Sequence, residues 1–181
     1  MKTPAITACD IEVLLSTHFG YRVNLVVPNV SWGWGLRHEA DMIVMRPSGW
    51  AEEVEIKCTL GDVRSDLRKR MDHWESPRIR KVWMALPYEI AVDHQDEIDH
   101  RWGIKAIKRQ WRHYFNGKDL DGKGPDGNGW LDTSVETMRA PKLNPKAREC
   151  TPAEELKLAQ LGSMRIWDLK RALMARLRDK K

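Results

Sequence analysis

Cysteine is scarce: three residues, Cys9, Cys58 and Cys150, stand far apart with no CxxC pair among them. That spacing argues against a disulfide framework and against a thiolate zinc site, and makes the reducing cytoplasm the expected location. No stretch approaches the ~18 consecutive apolar residues of a membrane span, and the opening MKTPAITACD has no signal-peptide core, so neither membrane spanning nor export is expected. Internal repeats are missing, and no serine or cysteine is arranged with a base as a nucleophile.

What is present suits one domain with an adequate core and a small appendage: 181 residues, 41% apolar. The net charge of +5 is unevenly spread. Residues 1–100 carry twelve Lys/Arg against sixteen Asp/Glu, 101–118 carry six against none, and 142–181 carry eleven against five. Basic segments around an acidic centre suit a polyanion held at the surface while clustered carboxylates bind a cation. Ordinary solvated faces would give the same tally.

Thr3-Pro4 reads as a cap and first helical residue, and apolar spacing over 6–19 predicts a helix stopped by Gly20. Residues 21–30 (YRVNLVVPNV) predict a strand, and 42–45 and 50–58 two more, joined by the turn Pro47-Ser48-Gly49. From Thr59, with Asp62 three residues on, Val63, Leu67, Met71 and Trp74 mark one face of an amphipathic helix. VWMAL (82–86) is a buried strand pattern, and 104–107 a weaker one. Residues 116–129 (NGKDLDGKGPDGNG) predict a mobile loop; Asp119, Asp121 and Gly124 imitate a calcium loop, but Lys123 and Trp130 stand where oxygen ligands are needed. Thr151 and Glu154 form a capping box for a C-terminal helix, and a break at Gly162-Ser163 predicts another with Ile166, Leu169, Leu173 and Leu177 inward.

The stretch HEADMIVMRPSGWAEEVEIK (38–57) carries the chemistry. With 47–49 as the loop, Asp41 lies opposite Glu55 and Glu39 opposite Lys57, all on one face. Directly opposed residues have Cβ atoms roughly 4.5–5.5 Å apart, so both carboxylates can reach one ion. Their repulsion is relieved by a hard divalent cation such as Mg²⁺ or Mn²⁺, and Lys57 can bind a phosphate oxygen or orient a water. A surface hairpin with weak ion pairs is the plain alternative, and a one-residue bulge would spoil the pairing.

Helix, three-stranded meander, helix and further strand, with Asp41 and Glu55-Ile56-Lys57 in place, resemble the PD-(D/E)XK nuclease superfamily. Ala40 stands where the family's nominal proline would be. HEADMIVM, EVEIKCTLGDVRSDLRKRMDHW and KVWMALP are similar to a DNA-repair-associated, MmcB-like subgroup, over about residues 4–110. The resemblance implies an α/β restriction-endonuclease-like core (αβββαβ), a central mixed sheet flanked by helices, with a C-terminal helical extension. Residues 1–115 would be that core, 116–130 a flexible Gly/Asp-rich loop, and 131–181 a final strand and basic helices packed on the core. It implies a Mg²⁺- (or Mn²⁺-) dependent deoxyribonuclease acting in repair, recombination or processing. Asp41, Glu55 and Ile56 would hold the metal, Lys57 would assist the attacking water, and a first-helix acid, best read as Glu12, would join them.

Around that centre, His38, Glu39 and Asp66 are candidates for a supporting shell. Arg64, Arg68, Lys69, His73, Arg101, Lys105, Lys108, Arg109 and Arg112 are candidate DNA contacts, with Trp32 and Trp34 as stacking platforms for an unpaired base. A homodimer is expected if both strands of a duplex are cut. A noncatalytic nucleic-acid-binding module with the same fold is the rival reading.

Overall fold

The computed structural model describes residues 5–31, 33–68, 73–115, 118–120 and 129–178, without the side chains of 67–68, 111–115, 118–120 and 129–130. The Thr3-Pro4 cap, Trp32, Lys69, Met71 and most of the 116–129 loop lie outside the described residues, as do the side chains of Arg68 and Arg112. The chain divides into two compact units, each assembled from three stretches. One comprises Met1–His18, Ile56–Met71 and Trp83–Lys142, and the other Phe19–Glu55, Asp72–Val82 and Leu143–Lys181. The fold is α/β, and its order of helix, three strands, helix and strand is the one expected.

The second unit holds an antiparallel meander. β1 (Leu25–Val30), β2 (Ala40–Met45) and β3 (Ala51–Ile56) pair in that order. β1 starts four residues later than expected because the chain first makes a turn over residues 19–24. Val23 and Asn24 donate their main-chain N–H groups to Gly20 O, and Asn24 Nδ2 donates to Phe19 O at 2.6 Å. That turn uses the carbonyls of Phe19 and Gly20 and withholds residues 21–24 from the sheet. The β2–β3 turn closes through Gly49, at φ 78°, whose N–H donates to Arg46 O. The unit ends in α4 (Pro152–Arg178), which contacts β1. Thr151 caps it with Glu154 as expected, Glu154 Oε2 accepting from Thr151 N at 2.8 Å.

The expected break at Gly162-Ser163 does not occur: α4 is one helix of 27 residues. A Cβ on Gly162 would stand 3.2 Å from Val27 Cγ2, so the glycine serves close approach of helix to strand. The inward packing expected for Ile166, Leu169, Leu173 and Leu177 is also corrected, since all four are more than half exposed, whereas Leu158 is buried.

In the first unit, α1 (Ala8–His18) is capped by Thr7. Its N–H and Oγ1 both donate to Asp10 Oδ2, and its Oγ1 accepts from Asp10 N. Ile11 and Leu15 supply its buried stripe. α2 (Leu60–Arg68) begins at the expected Thr59–Asp62 cap. It stops short of Trp74, which lies in a separate 3₁₀ turn, His73–Glu75. β4 (Ile79–Pro87) runs along the chain from the second unit into the first, where it pairs in parallel with β5 (Gly103–Phe115). α3 (Tyr88–His94) connects them and contacts β5. β5 also carries β6 (Lys118–Leu120) and β7 (Gly129–Arg139), both antiparallel, so the sheet is mixed. The final strand expected beyond residue 131 is thus β7, and three loop residues form β6.

Gly103 marks the tightest point of this unit. A Cβ there would lie 2.4 Å from Trp83 Cε3 and 2.8 Å from Pro141 Cδ. Gly103→Ala is therefore expected to destabilise by ~1–3 kcal/mol through overpacking, read as a lower denaturation midpoint. Cys150 makes a second check. It is buried, its N–H donates to Gly49 O, and burial pushes its thiol up to about 11. Near pH 8 it stays a thiol, so alkylation should modify exposed Cys9 within the native protein and reach Cys150 only on unfolding, as peptide mapping would show.

Candidate metal centre

The β2–β3 ladder pairs Met42 with Val54, Ile43 with Glu53, Val44 with Glu52 and Met45 with Ala51. One step outward, the same register sets Asp41 against Glu55, the pairing read from the turn. Strand periodicity then puts Asp41, Ile43, Glu53 and Glu55 on one face and Glu52 on the other. Glu39 and Lys57 fall just outside the two strands.

All three glutamates of β3 are buried, an unusual load for a strand named AEEVEI. Glu52 is answered by Arg46 at 3.1 Å and Lys81 at 3.6 Å. Glu53 is answered by histidines: its Oε1 lies 2.5 Å from His38 Nε2 and 2.7 Å from His73 Nδ1. The imidazoles meet edge to face, their centroids 4.4 Å apart. Burial pushes the Glu53 carboxyl up, but the hydrogen bonds from His38 and His73 outweigh it and hold the group well below the usual carboxylate range. An ionised carboxylate only accepts, so both ring nitrogens donate. Glu53 Oε2 is buried with no hydrogen-bond partner among the described residues. His38, Glu53, Glu55 and His73 each offer a ligand atom, all within 4.8 Å of one another.

Asp41 is not one of those four, and is half-buried. In the other unit, Lys57 Nζ lies 3.3 Å from Asp66 Oδ1 with both side chains largely covered, and Lys57 N donates to Ala85 O. Glu12 is half-buried on α1, and Ile56 closes β3.

Several expected DNA contacts are turned elsewhere. Trp34 is buried, its Nε1 donating to Glu154 O at 3.0 Å, so it has no ring face for a base. Lys105 is buried: its Nζ donates to Thr137 Oγ1 at 2.7 Å and lies 3.1 Å from His18 Nε2 and 4.2 Å from the Trp83 ring. His73 belongs to the buried cluster rather than to a surface. Arg64 forms two hydrogen bonds to Glu97, and Arg101 is held by Asp99. Arg109 lies 3.7 Å from Asp10 and donates to Ala5 O. Lys108 is exposed, 5.1 Å from the Tyr88 ring.

Glu53 was missed in the sequence, although the pairing that sets Asp41 against Glu55 also sets Glu53 on their face. Its histidine partners lie 15 and 20 residues away, and no local pattern joins them.

No family model and no curated protein matches the chain. Among solved structures, a protein of unknown function from Silicibacter pomeroyi is similar, with TM-score 0.54 and 14% identity over 91% of this chain and 88% of that one. At that identity the likeness concerns the fold. No helix among the described residues is long and apolar enough to cross a membrane.

Proposed function

We propose that the protein is a metal-dependent nuclease of PD-(D/E)XK type that hydrolyses DNA phosphodiester bonds. The observation that supports this reading best is the β2–β3 register, in which Asp41 and Glu55 fall on one face of neighbouring strands. Two carboxylates so related are a suitable oxygen-donor set for Mg²⁺ or Mn²⁺. Asp41 and Glu55 would hold that ion, and the carbonyl of Ile56, the next residue along the chain, would be a further oxygen donor. Once bound, it would supply Lewis acidity and a more acidic water.

Lys57 follows Glu55 by two residues, and its ammonium is positioned by Asp66 at 3.3 Å. Its role is to hold a phosphate oxygen or orient the water. Water attacks phosphorus and the P–O bond to the leaving sugar breaks, with no covalent enzyme intermediate. Lys108 would contact backbone phosphate, which sets position but not sequence, and binding should weaken with salt.

A panel of labelled single-stranded, duplex and branched DNAs, with an RNA control, incubated with Mg²⁺ and with Mn²⁺, tests the proposal. Metal-dependent cleavage of DNA supports it. Salt-sensitive binding without cleavage under either ion replaces it with the noncatalytic module.

A further inference from the structure

The buried pair of histidines around Glu53 has no part in the reading above, which uses Asp41, Glu55 and Lys57. We propose that His38, Glu53 and His73, with Glu55 shared from the site above, form a second cation site for a divalent first-row transition ion of the Zn²⁺ kind, one that Mg²⁺ does not fill.

The donor set decides the ion. Two imidazole nitrogens and a carboxylate are the ligands that Zn²⁺ takes at three-ligand sites, and Glu55 is within reach as a fourth. Mg²⁺ demands oxygen ligands in near-octahedral array and keeps several waters, which histidines in a buried cluster do not offer. Three of the four donors sit on regular elements. Glu53 and Glu55 lie on β3, His73 opens a 3₁₀ turn, and His38 stands two residues before β2.

A plain hydrogen-bonded triad, imidazole to carboxylate to imidazole, would hold the same atoms together. It would leave Glu53 Oε2 as it stands: buried and unmatched, which carries the desolvation cost of an unsatisfied charged oxygen. In the triad both histidines converge on one oxygen while the other oxygen is idle. A cation is a partner that the carboxylate and both rings can share at once. Access is available too, because His38 lines a cavity of about 150 Å³ with Ser31, Leu36, Arg37 and Glu39.

The test uses the full chain, stripped by a chelator and titrated calorimetrically with Zn²⁺ and with Mg²⁺, while Co²⁺ reports the ligands by visible absorption. One equivalent of Zn²⁺ should bind, with Mg²⁺ failing to compete. Bound Co²⁺ should show ligand-field bands without thiolate charge transfer. His38→Ala, His73→Ala and Glu53→Gln should each weaken Zn²⁺ by ~100-fold or more, beyond what loss of a supporting residue does. Asp41→Asn should bind Zn²⁺ like the wild type even if it abolishes cleavage, so the two sites fail separately. If buried His73→Ala does not melt cooperatively without metal, His38→Ala, outside the strands, decides. Wild type that takes no Zn²⁺, variants that bind it unchanged, or a thiolate spectrum would each overturn the site.

Discussion

Asp41→Ala should cut DNA at least ~10²–10³-fold more slowly than wild type under saturating Mg²⁺, and Lys57→Ala should do the same. Both changes act on the charge that builds at phosphorus, so the loss belongs in kcat, with DNA affinity at a given salt little altered. Lys108→Ala makes the contrast. It is exposed and lies off the β2–β3 face, so its loss should weaken binding of all sequences alike and lower the salt slope by about one. Asp66→Asn should fall between, because Asp66 acts through Lys57. Rescue by Mn²⁺ would mark Asp41 as a ligand, whereas a structural role would not respond to the ion. An Asp41→Ala protein as active as wild type removes the proposed centre.

Trp34→Ala should lower stability by ~3–5 kcal/mol, seen as an earlier urea midpoint at unchanged slope. The indole is 2% exposed, donates to Glu154 O, and has the Arg78 guanidinium 6.0 Å from its ring centre. Arg78 in turn donates to Glu154 Oε1 at 2.6 Å, and Arg148 makes two further bonds to that carboxylate. Arg148 first, then the Thr151 cap and Arg78, hold the Glu154 carboxyl far below the usual range despite the opposing effect of burial. Removing the ring opens a cavity beneath the first turn of α4 and loosens this ionic cluster with it. A tryptophan serving as a base platform would behave otherwise, with DNA binding lost and the midpoint unmoved.

Local chemistry made much of the architecture legible. The Pro47-Ser48-Gly49 turn fixed the β2–β3 pairing, and the boxes at Thr59 and Thr151 fixed two helix starts. Periodicity was less informative about what lies against a face. Ile166, Leu169, Leu173 and Leu177 recur at helical spacing and nonetheless face solvent, because spacing shows that a stripe exists and not that anything covers it. The single glycine in α4 was ambiguous for a similar reason: a breaker and a close-contact residue look alike until Val27 is seen beside it. Hairpin arithmetic set Asp41 against Glu55 on one face, and of the four grouped donors only Glu55 was among the residues expected to hold a metal. His38 was named only as a supporting residue and His73 as a DNA contact, and their grouping with Glu53 was not visible, since these residues meet through tertiary folding and a buried histidine resembles a surface one in sequence.

Each compact unit is stitched from three separate stretches of polypeptide, and β4 changes unit between Val82 and Trp83. No single truncation, from either end, yields one unit intact. Fragment libraries and deletion mapping should therefore give insoluble or inactive pieces wherever the cut parts the stretches of a unit. A shorter working version would have to be made by rewiring the order of segments rather than by trimming.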